Sequence, residues 1–296
     1  MRIGLVVNPT AGKGSGGHLA AKIADLARGR GADLIDLSAD SAQAAHAAAA
    51  DQLQDLDALF VAGGDGMAHL GVSVCATTPV PLALIPTGTG NDSAAAHGVP
   101  ADPLAATRQA LDLLVEGRSR ATDLARVRCG DGSQHWFLSV LSLGFDAIVN
   151  ERANRMRWPQ GPSRYNVAVA RELPVFRPPR YEITLDGKHL STAAMLVSIA
   201  NGPRFGGGMQ IAPQARTDDG LLDVVVLAPV PIPRFVRFFP SVFQGTHVDR
   251  DEVRILRTRV VEVSLDRAIT AYADGEPIGP APVRCEAVEG ALQLLA

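Results

Sequence analysis

Three glycine–aspartate turns carry most of the chemistry this chain could do. Gly63-Gly64-Asp65-Gly66 follows an apolar run at 57–62, and Pro86-Thr87-Gly88-Thr89-Gly90-Asn91-Asp92 follows a second run at 80–85. Asp274-Gly275-Glu276 lies near the end of the chain. Glycine lets a backbone approach a phosphate closely, and the amides of such turns point at phosphate oxygens. A carboxylate beside them can hold Mg²⁺ or take a proton. One turn of this kind is as readily an ordinary turn with a solvated aspartate. Two at neighbouring strand ends favour a nucleotide phosphate site, although Asp92 is also well placed to cap the helix after it. If 269–276 is extended, Asp274 and Glu276 project from one face into one cleft, as metal ligands or general base. Alone, Asp-Gly-Glu mostly means a hairpin.

Other stretches are less specific. Asn8-Pro9-Thr10-Ala11-Gly12-Lys13-Gly14-Ser15-Gly16-Gly17 is no P-loop, because Gly14 follows Lys13 where Ser or Thr is needed. Gly12, Gly14 and Gly17 do fit G-x-G-x-x-G, with Asp36 downstream, so a dinucleotide enzyme is an alternative. The turn inserted before Gly12 argues against it and for a phosphate-covering loop tied back by Asn8. Gly206-Gly207-Gly208 follows Asn201-Gly202-Pro203-Arg204-Phe205, and Asp218, Asp219 and Asp223 come next. A turn such as Asp219-Gly220-Leu221 binds Mg²⁺ or Ca²⁺ through a side chain and carbonyls, or is a plain turn. Arg152, Arg155, Arg157, Trp158 and Arg164 form one basic, aromatic stretch. Arg234 and Arg237 with Phe235, Phe238, Phe239 and Phe243 form another, either a membrane-interface segment or an amphipathic helix with its aromatics inward.

The elements that must hold these turns change character part-way along. Over 1–120, strand and helix patterns alternate: strands at 3–7, 33–37, 57–62 and 80–85, helices at 17–28, 41–56 (capped by Ser41) and 103–116. That order implies a parallel sheet with ligands at the carboxyl ends of its strands. Over 121–296, short β runs follow one another, including 124–129, 136–143, 181–185, 195–201, 222–227, 260–265 and 283–287. Helical interruptions are expected at 147–176 and 234–244. The fold class is therefore an α/β N-terminal domain, 1–120, with a parallel sheet, and a C-terminal antiparallel β-sandwich, 121–296.

The net charge of −3 gives no overall case for nucleic acid. Three widely spaced cysteines suggest a reducing compartment rather than a disulfide framework. Neither a signal segment nor a run long enough to span a bilayer is expected.

Taken in order, the loops resemble the diacylglycerol kinase catalytic-domain family, which includes bacterial lipid kinases and sphingosine kinases. The matching segments are Asn8-Pro9, Gly63-Gly64-Asp65-Gly66, Pro86 to Asp92, Leu143-Gly144-Phe145-Asp146, Asn201 with Gly206-Gly207-Gly208, Pro213 to Asp223, and Asp274-Gly275-Glu276. The resemblance implies an NAD kinase-like first domain, a β-sandwich second domain and ATP bound in the cleft between them. By position, Gly63, Gly64, Asp65, Gly66, Met67, Ala68 and His69 would line the ATP phosphates, with Asn8, Ser38, Thr89, Asn91 and Asp92 contributing. Asp65 and Asp92 are similar to the family's essential acidic residues, and Asp274 or Glu276 to its catalytic base. The turn after Pro213 is similar to a structural Mg²⁺ site using the Asp219 side chain and the carbonyls of Arg216 and Leu221.

The chain departs from the family at Met67, where the usual residue is Thr, and at His69-Leu70, where it is Asn-Glu. The resemblance implies an ATP-dependent lipid kinase (a phosphotransferase with an alcohol acceptor) that makes phosphatidic acid from diacylglycerol. The alternatives are a sphingoid-base kinase, a soluble NAD kinase-like enzyme and a catalytically weak ATP-binding regulator. It would sit in the cytoplasm, peripherally on the inner face of the membrane, with a lipid substrate as partner; a homodimer is left open.

Overall fold

A computed structural model of the chain describes all residues except 9–15, 89, 157 and 159–162. The chain divides into two units, Met1–Leu124 with Glu289–Ala296, and Ala125–Val288.

The first unit begins β1 (Arg2–Val7), α1 (Gly16–Gly29), β2 (Asp33–Asp36), α2 (Ala42–Gln52), β3 (Ala58–Gly63), α3 (Asp65–Cys75) and β4 (Leu82–Pro86). It continues with α4 (Asp92–Ala96), α5 (Pro103–Val115) and the start of β5 (Arg120–Cys129). The strands run parallel in the order β2-β1-β3-β4. Every residue of β3 and of β4 is buried, as a parallel sheet covered on both faces requires. Ser41 caps α2 by accepting the Ala44 amide at 3.1 Å. Asp102 caps α5, with Pro103 in its first turn. Register matters most at the last pair, where Gly63 lies beside Pro86. Both glycine-rich loops therefore leave the sheet side by side, at the same strand ends.

The second unit contains β6 (Gln134–Phe137), β7 (Val140–Gly144), α6 (Phe145–Arg155), α7 (Ser163–Glu172), β8 (Arg180–Leu185), β9 (Lys188–Ala193), β10 (Leu196–Ala200) and β11 (Leu222–Leu227). After these come α8 (Ile232–Phe238), β12 (Val253–Thr258), β13 (Val260–Leu265), β14 (Thr270–Ala273), β15 (Glu276–Pro280) and β16 (Val283–Leu294). One antiparallel sheet has the order β12-β11-β10-β7-β14-β15; β16, β13, β8 and β9 form antiparallel pairs of the other. The period-2 alternation of β10 and β11 divides their side chains between two cores. Val197, Ile199, Val224 and Val226 face the sandwich interior, with Val261, Ile183 and Cys285 of the other sheet. Leu196, Ala200, Val225 and Leu227 pack instead with Phe145, Val149, Phe235 and Phe238 of the helices.

Three local expectations are corrected. The single strand expected at 136–143 is two, β6 and β7, because the Leu138 and Ser139 amides leave the ladder to bind the Asp274 carboxylate. The helical stretch at 147–176 is two helices, α6 and α7. The 269–276 segment is a hairpin: Asp274 and Gly275, at φ +50° and +88°, form its two-residue turn, and Ala273 pairs with Glu276.

Residues 289–296 belong to the first unit. Leu294 pairs with Leu82 in parallel, the Leu295 amide donates to the Leu82 carbonyl at 2.9 Å, and Leu292 and Leu294 are fully buried. Truncating either leucine to Ala is expected to cost about 2–5 kcal/mol. A urea titration reads this as a lower unfolding midpoint, and an unchanged midpoint would mean the last residues do not stabilise the first unit.

Candidate functional site

The carboxyl edge of the parallel sheet brings most of the expected nucleotide residues together. The Asn8 amide, just past β1, donates to the Ala62 carbonyl at 3.0 Å, and Ser38 Oγ accepts the Val7 amide at 2.9 Å. The Thr87 amide reaches across to the Gly63 carbonyl at 2.9 Å. Gly64 and Gly88 then meet back to back. A Cβ built on Gly88 would stand 2.6 Å from the Gly64 Cα, and one on Gly64 would stand 2.8 Å from the Gly90 carbonyl oxygen. No real Cβ tolerates such contacts, so these glycines are needed for loop-to-loop approach as well as for open amides.

Asp65 opens α3, and the Met67 and Ala68 amides both donate to the Gly64 carbonyl. Among the described residues the amides of Asp65 and Gly66 have no acceptor, and a helix N-terminus of this kind favours an anion. Asn91 Oδ1 accepts the Gly88 amide at 3.1 Å and its Nδ2 donates to the Gly88 carbonyl at 2.9 Å, which locks the second loop. Asp92 does not cap α4. It is the first helical residue, and the cap position is Asn91, whose side chain is already spent on Gly88. The acceptor for α4 comes from the other loop, since Asp65 Oδ1 takes the Ser93 amide at 3.0 Å. Burial pushes the Asp65 carboxyl above the usual range, the Ser93 amide opposes that, and the Asp92 charge adds to it.

Met67 lies over Gly63, where it would collide with any Cβ. Ala68 is buried and His69 half-buried, while Leu70 lies in the core, which accounts for an apolar residue at that family position. Thr87 Oγ1 is buried with no hydrogen-bond partner among the described residues. Thr89 and the loop from Pro9 to Ser15, with Gly12, Lys13 and Gly14, lie outside the described residues.

In the second unit Asp274 lies in the hairpin turn and Glu276 begins the strand that follows it. Asp274 is buried, and Oδ1 accepts the Ser139 and Val140 amides at 2.9 and 3.2 Å while Oδ2 accepts the Leu138 amide at 3.0 Å. Glu276 is exposed at the start of β15. The paired-carboxylate geometry expected of an extended segment is absent, because the chain reverses between the two residues.

The residues proposed for a structural Mg²⁺ do not fit one as they are folded. Asp219 Oδ1 accepts the Leu221 amide at 3.1 Å, and Oδ2 is ion-paired with Arg257. Arg257 Nε also lies 3.5 Å from Asp223 Oδ1, and the Arg216 guanidinium is held by Asp218. A cation at this turn would have to displace the Arg257 guanidinium.

Sequence patterns gave little warning of an apolar pocket in the second unit. It is walled by Phe145, Phe205, Met209, Phe235, Phe238 and Phe239, above Leu196, Val225 and Leu227 of the sheet. Gly206, Gly207 and Gly208, all at positive φ, let the chain turn so that Phe205 and Met209 bridge to each other and both face the pocket. Few polar groups reach it. Burial pushes His247 down, so the imidazole is neutral; Nε2 donates to the Ile211 carbonyl at 3.1 Å, which leaves Nδ1 a buried acceptor without a partner among the described residues. Asp146 is fully buried at the start of α6, accepting the Ala147 amide at 3.0 Å and the Ser198 hydroxyl at 3.3 Å. Burial pushes its carboxyl up to about 6.

The architecture is that of an α/β unit joined to a β-sandwich unit, and known proteins share it from end to end. A solved diacylglycerol kinase from Bacillus anthracis str. Sterne superposes with a TM-score of 0.75 at 20% identity, covering 99% of this chain and 96% of the other. The diacylglycerol kinase catalytic domain matches residues 2–127, and the YegS C-terminal NAD kinase beta sandwich-like domain matches residues 139–296. A diacylglycerol kinase of Mycobacterium tuberculosis (strain ATCC 25618 / H37Rv) is 38% identical over 99% of this chain and 94% of its own length. Another, from Bacillus subtilis (strain 168), is 25% identical over 95% and 91%. The chain belongs to the diacylglycerol kinase catalytic-domain family and is a lipid kinase.

Two expectations follow from this geometry. Gly88→Ala forces the two loops apart, at a cost of about 1–3 kcal/mol. It should lower the melting temperature and raise the KM for ATP, and a variant unchanged in both would show that the contact is not needed. Asp146, raised in the folded state, binds a proton there at a pH where the unfolded chain has lost it. Stability should therefore fall as pH rises from about 4 to about 6, by about 3 kcal/mol, with the penalty complete above that range. Asp146→Asn should remove this slope in urea titrations at pH 4.5 and 7; parallel slopes for the two proteins would contradict it.

Proposed function

We propose that the protein transfers the γ-phosphate of ATP, taken up as its Mg²⁺ complex, to the free hydroxyl of diacylglycerol, giving phosphatidic acid and ADP. The observation that carries the reading is the phenylalanine-walled pocket, an environment suited to an acyl chain, in a chain of the lipid kinase family. In this reading the first unit binds the nucleotide. The amides of Asp65 and Gly66 would take phosphate oxygens, Asn8, Ser38 and Asn91 shape the surrounding edge, and Asp65 and Asp92 would offset the charge of the metal that accompanies the nucleotide. Two neighbouring acids, one of them raised by burial and by the other's charge, gain most from an arriving cation.

Asp274 is the base. Amides of Leu138, Ser139 and Val140 fix its carboxylate in place, and in this reading that carboxylate takes the hydroxyl proton. As the acceptor oxygen bonds to the γ-phosphorus, the bond from that phosphorus to the β–γ bridging oxygen breaks and ADP leaves. The catalysis is mainly positioning and charge neutralisation. Among the described residues no helix is long and apolar enough to cross a membrane. A lipid acceptor would in this reading be met peripherally, at the cytoplasmic face.

Phosphorylation of diacylglycerol in mixed micelles, dependent on ATP, tests the reading. Asp65→Asn should lower kcat/KM by about 10²–10⁴, and Asp274→Asn should lower kcat by a similar factor. Glu276→Gln should cost less than about tenfold. Equal rates for wild type and Asp65→Asn would remove Asp65 from the site, and an active Asp274→Asn beside an inactive Glu276→Gln would move the base to Glu276.

A further inference from the structure

The short helix α8 and the turn after it, residues 232–244, have two faces of opposite use. Inward, Phe235, Phe238, Phe239 and Val242 line the apolar pocket. Outward, Ile232 and Val236 are 42% and 58% exposed, and Phe243 is 45% exposed. Ile232 and Val236 are four residues apart, on one face of the helix, with Arg237 next to them. The segment contains Arg234 and Arg237 and no acidic residue. Arg234 is ion-paired with Glu252, whereas Arg237 is exposed and makes no ion pair among the described residues.

The outer face is continuous with the pocket through aromatic rings. The exposed Phe243 meets Phe239 edge-on at 6.0 Å, Phe239 stacks on Phe235 at 5.5 Å, and Phe235 meets Phe145 at 5.5 Å. Phe145 in turn meets Phe176 at 5.2 Å. An unbroken apolar path thus runs from the molecular surface to the pocket wall on α6.

We infer that residues 232–243 are a membrane-docking face: Ile232, Val236 and Phe243 enter the interface of an anionic bilayer, Arg237 faces its phosphates, and the inner aromatic face admits the acyl chain directly from the lipid. Three apolar side chains beside an arginine that makes no ion pair among the described residues match a bilayer interface, apolar below and anionic above. A second copy of the chain would leave the arginine without a complement on the like-charged face opposite. The inference rests on the lipid kinase reading for what the pocket admits, but not for what the outer face touches.

Co-sedimentation with phosphatidylcholine vesicles, with and without phosphatidylglycerol, is the test. The double variant Ile232→Ser, Val236→Ser should bind mixed vesicles about tenfold or more weakly, and Arg237→Gln about fivefold more weakly on mixed vesicles only. Activity on a short-chain diacylglycerol dispersed as monomers should stay at the wild-type level in the double variant, which also shows that it is folded. Val175→Ser, an equally apolar and exposed position elsewhere, should bind as wild type. Wild-type partitioning by the double variant would overturn the inference. So would a change in its oligomeric state by light scattering with vesicle binding intact, which would make the face a protein contact. Wild type that phosphorylates diacylglycerol in micelles but ignores vesicles would overturn the docking face alone. Vesicle binding lost in the double variant while wild type phosphorylates no lipid would instead overturn the functional reading and leave the face in place.

Discussion

The approach of Gly64 to Gly88 is the constraint on which the first unit's chemistry depends. Parallel strands β3 and β4 are neighbours in register, so the loops that follow them must leave through the same space. That space has no room for a Cβ on either residue. Once the loops are this close, the Asp65 carboxylate spans from α3 to the first turn of α4, and one aspartate both begins one helix and caps another. The arrangement also forces Asp65 near Asp92 in a partly desolvated setting. Two acids so placed are electrostatically unfavourable together, and under the proposed function a cation brought in with the nucleotide would relieve that cost.

The second unit depends on a different device, strands whose two faces serve two cores. β10 and β11 place alternate residues in the sandwich and under the helices, so the same period-2 pattern that closes the sandwich also floors the apolar pocket. Two polar groups admitted there, Asp146 and His247, are held by backbone and hydroxyl partners. Asp274 applies the same economy at the other side of the sheet. A single carboxylate takes three consecutive amides where the chain passes from β6 to β7, which ties the hairpin turn to the strand beside it.

Local pattern carried much of this. The alternation of strands and helices, the Ser41 cap, the glycine loops at strand ends and the family's ordered motifs were all legible, because each is written in contiguous residues. What could not be read depends on partners distant in sequence. The break at Leu138-Ser139 is invisible until Asp274, well over a hundred residues later, takes their amides. Asp92 follows a good cap pattern, yet Asn91's engagement with Gly88 and Asp65's reach to Ser93 displace it from that role. The Asp219 turn has the oxygen donors of a cation site by spacing, and only the fold reveals that Arg257 already occupies the carboxylate. The pocket is assembled from stretches scattered between Phe145 and Val253, and its local hint was the run of phenylalanines after Arg234.

The central claim is that one polypeptide joins a nucleotide site at the Gly64–Gly88 edge to a lipid acceptor in the second unit. Transfer of label from γ-labelled ATP, with diacylglycerol, a sphingoid base and NAD present together as competing acceptors, tests it most directly. The account predicts that phosphatidic acid carries nearly all the label. Label on NAD, or a chain that binds ATP and labels no lipid, would contradict it.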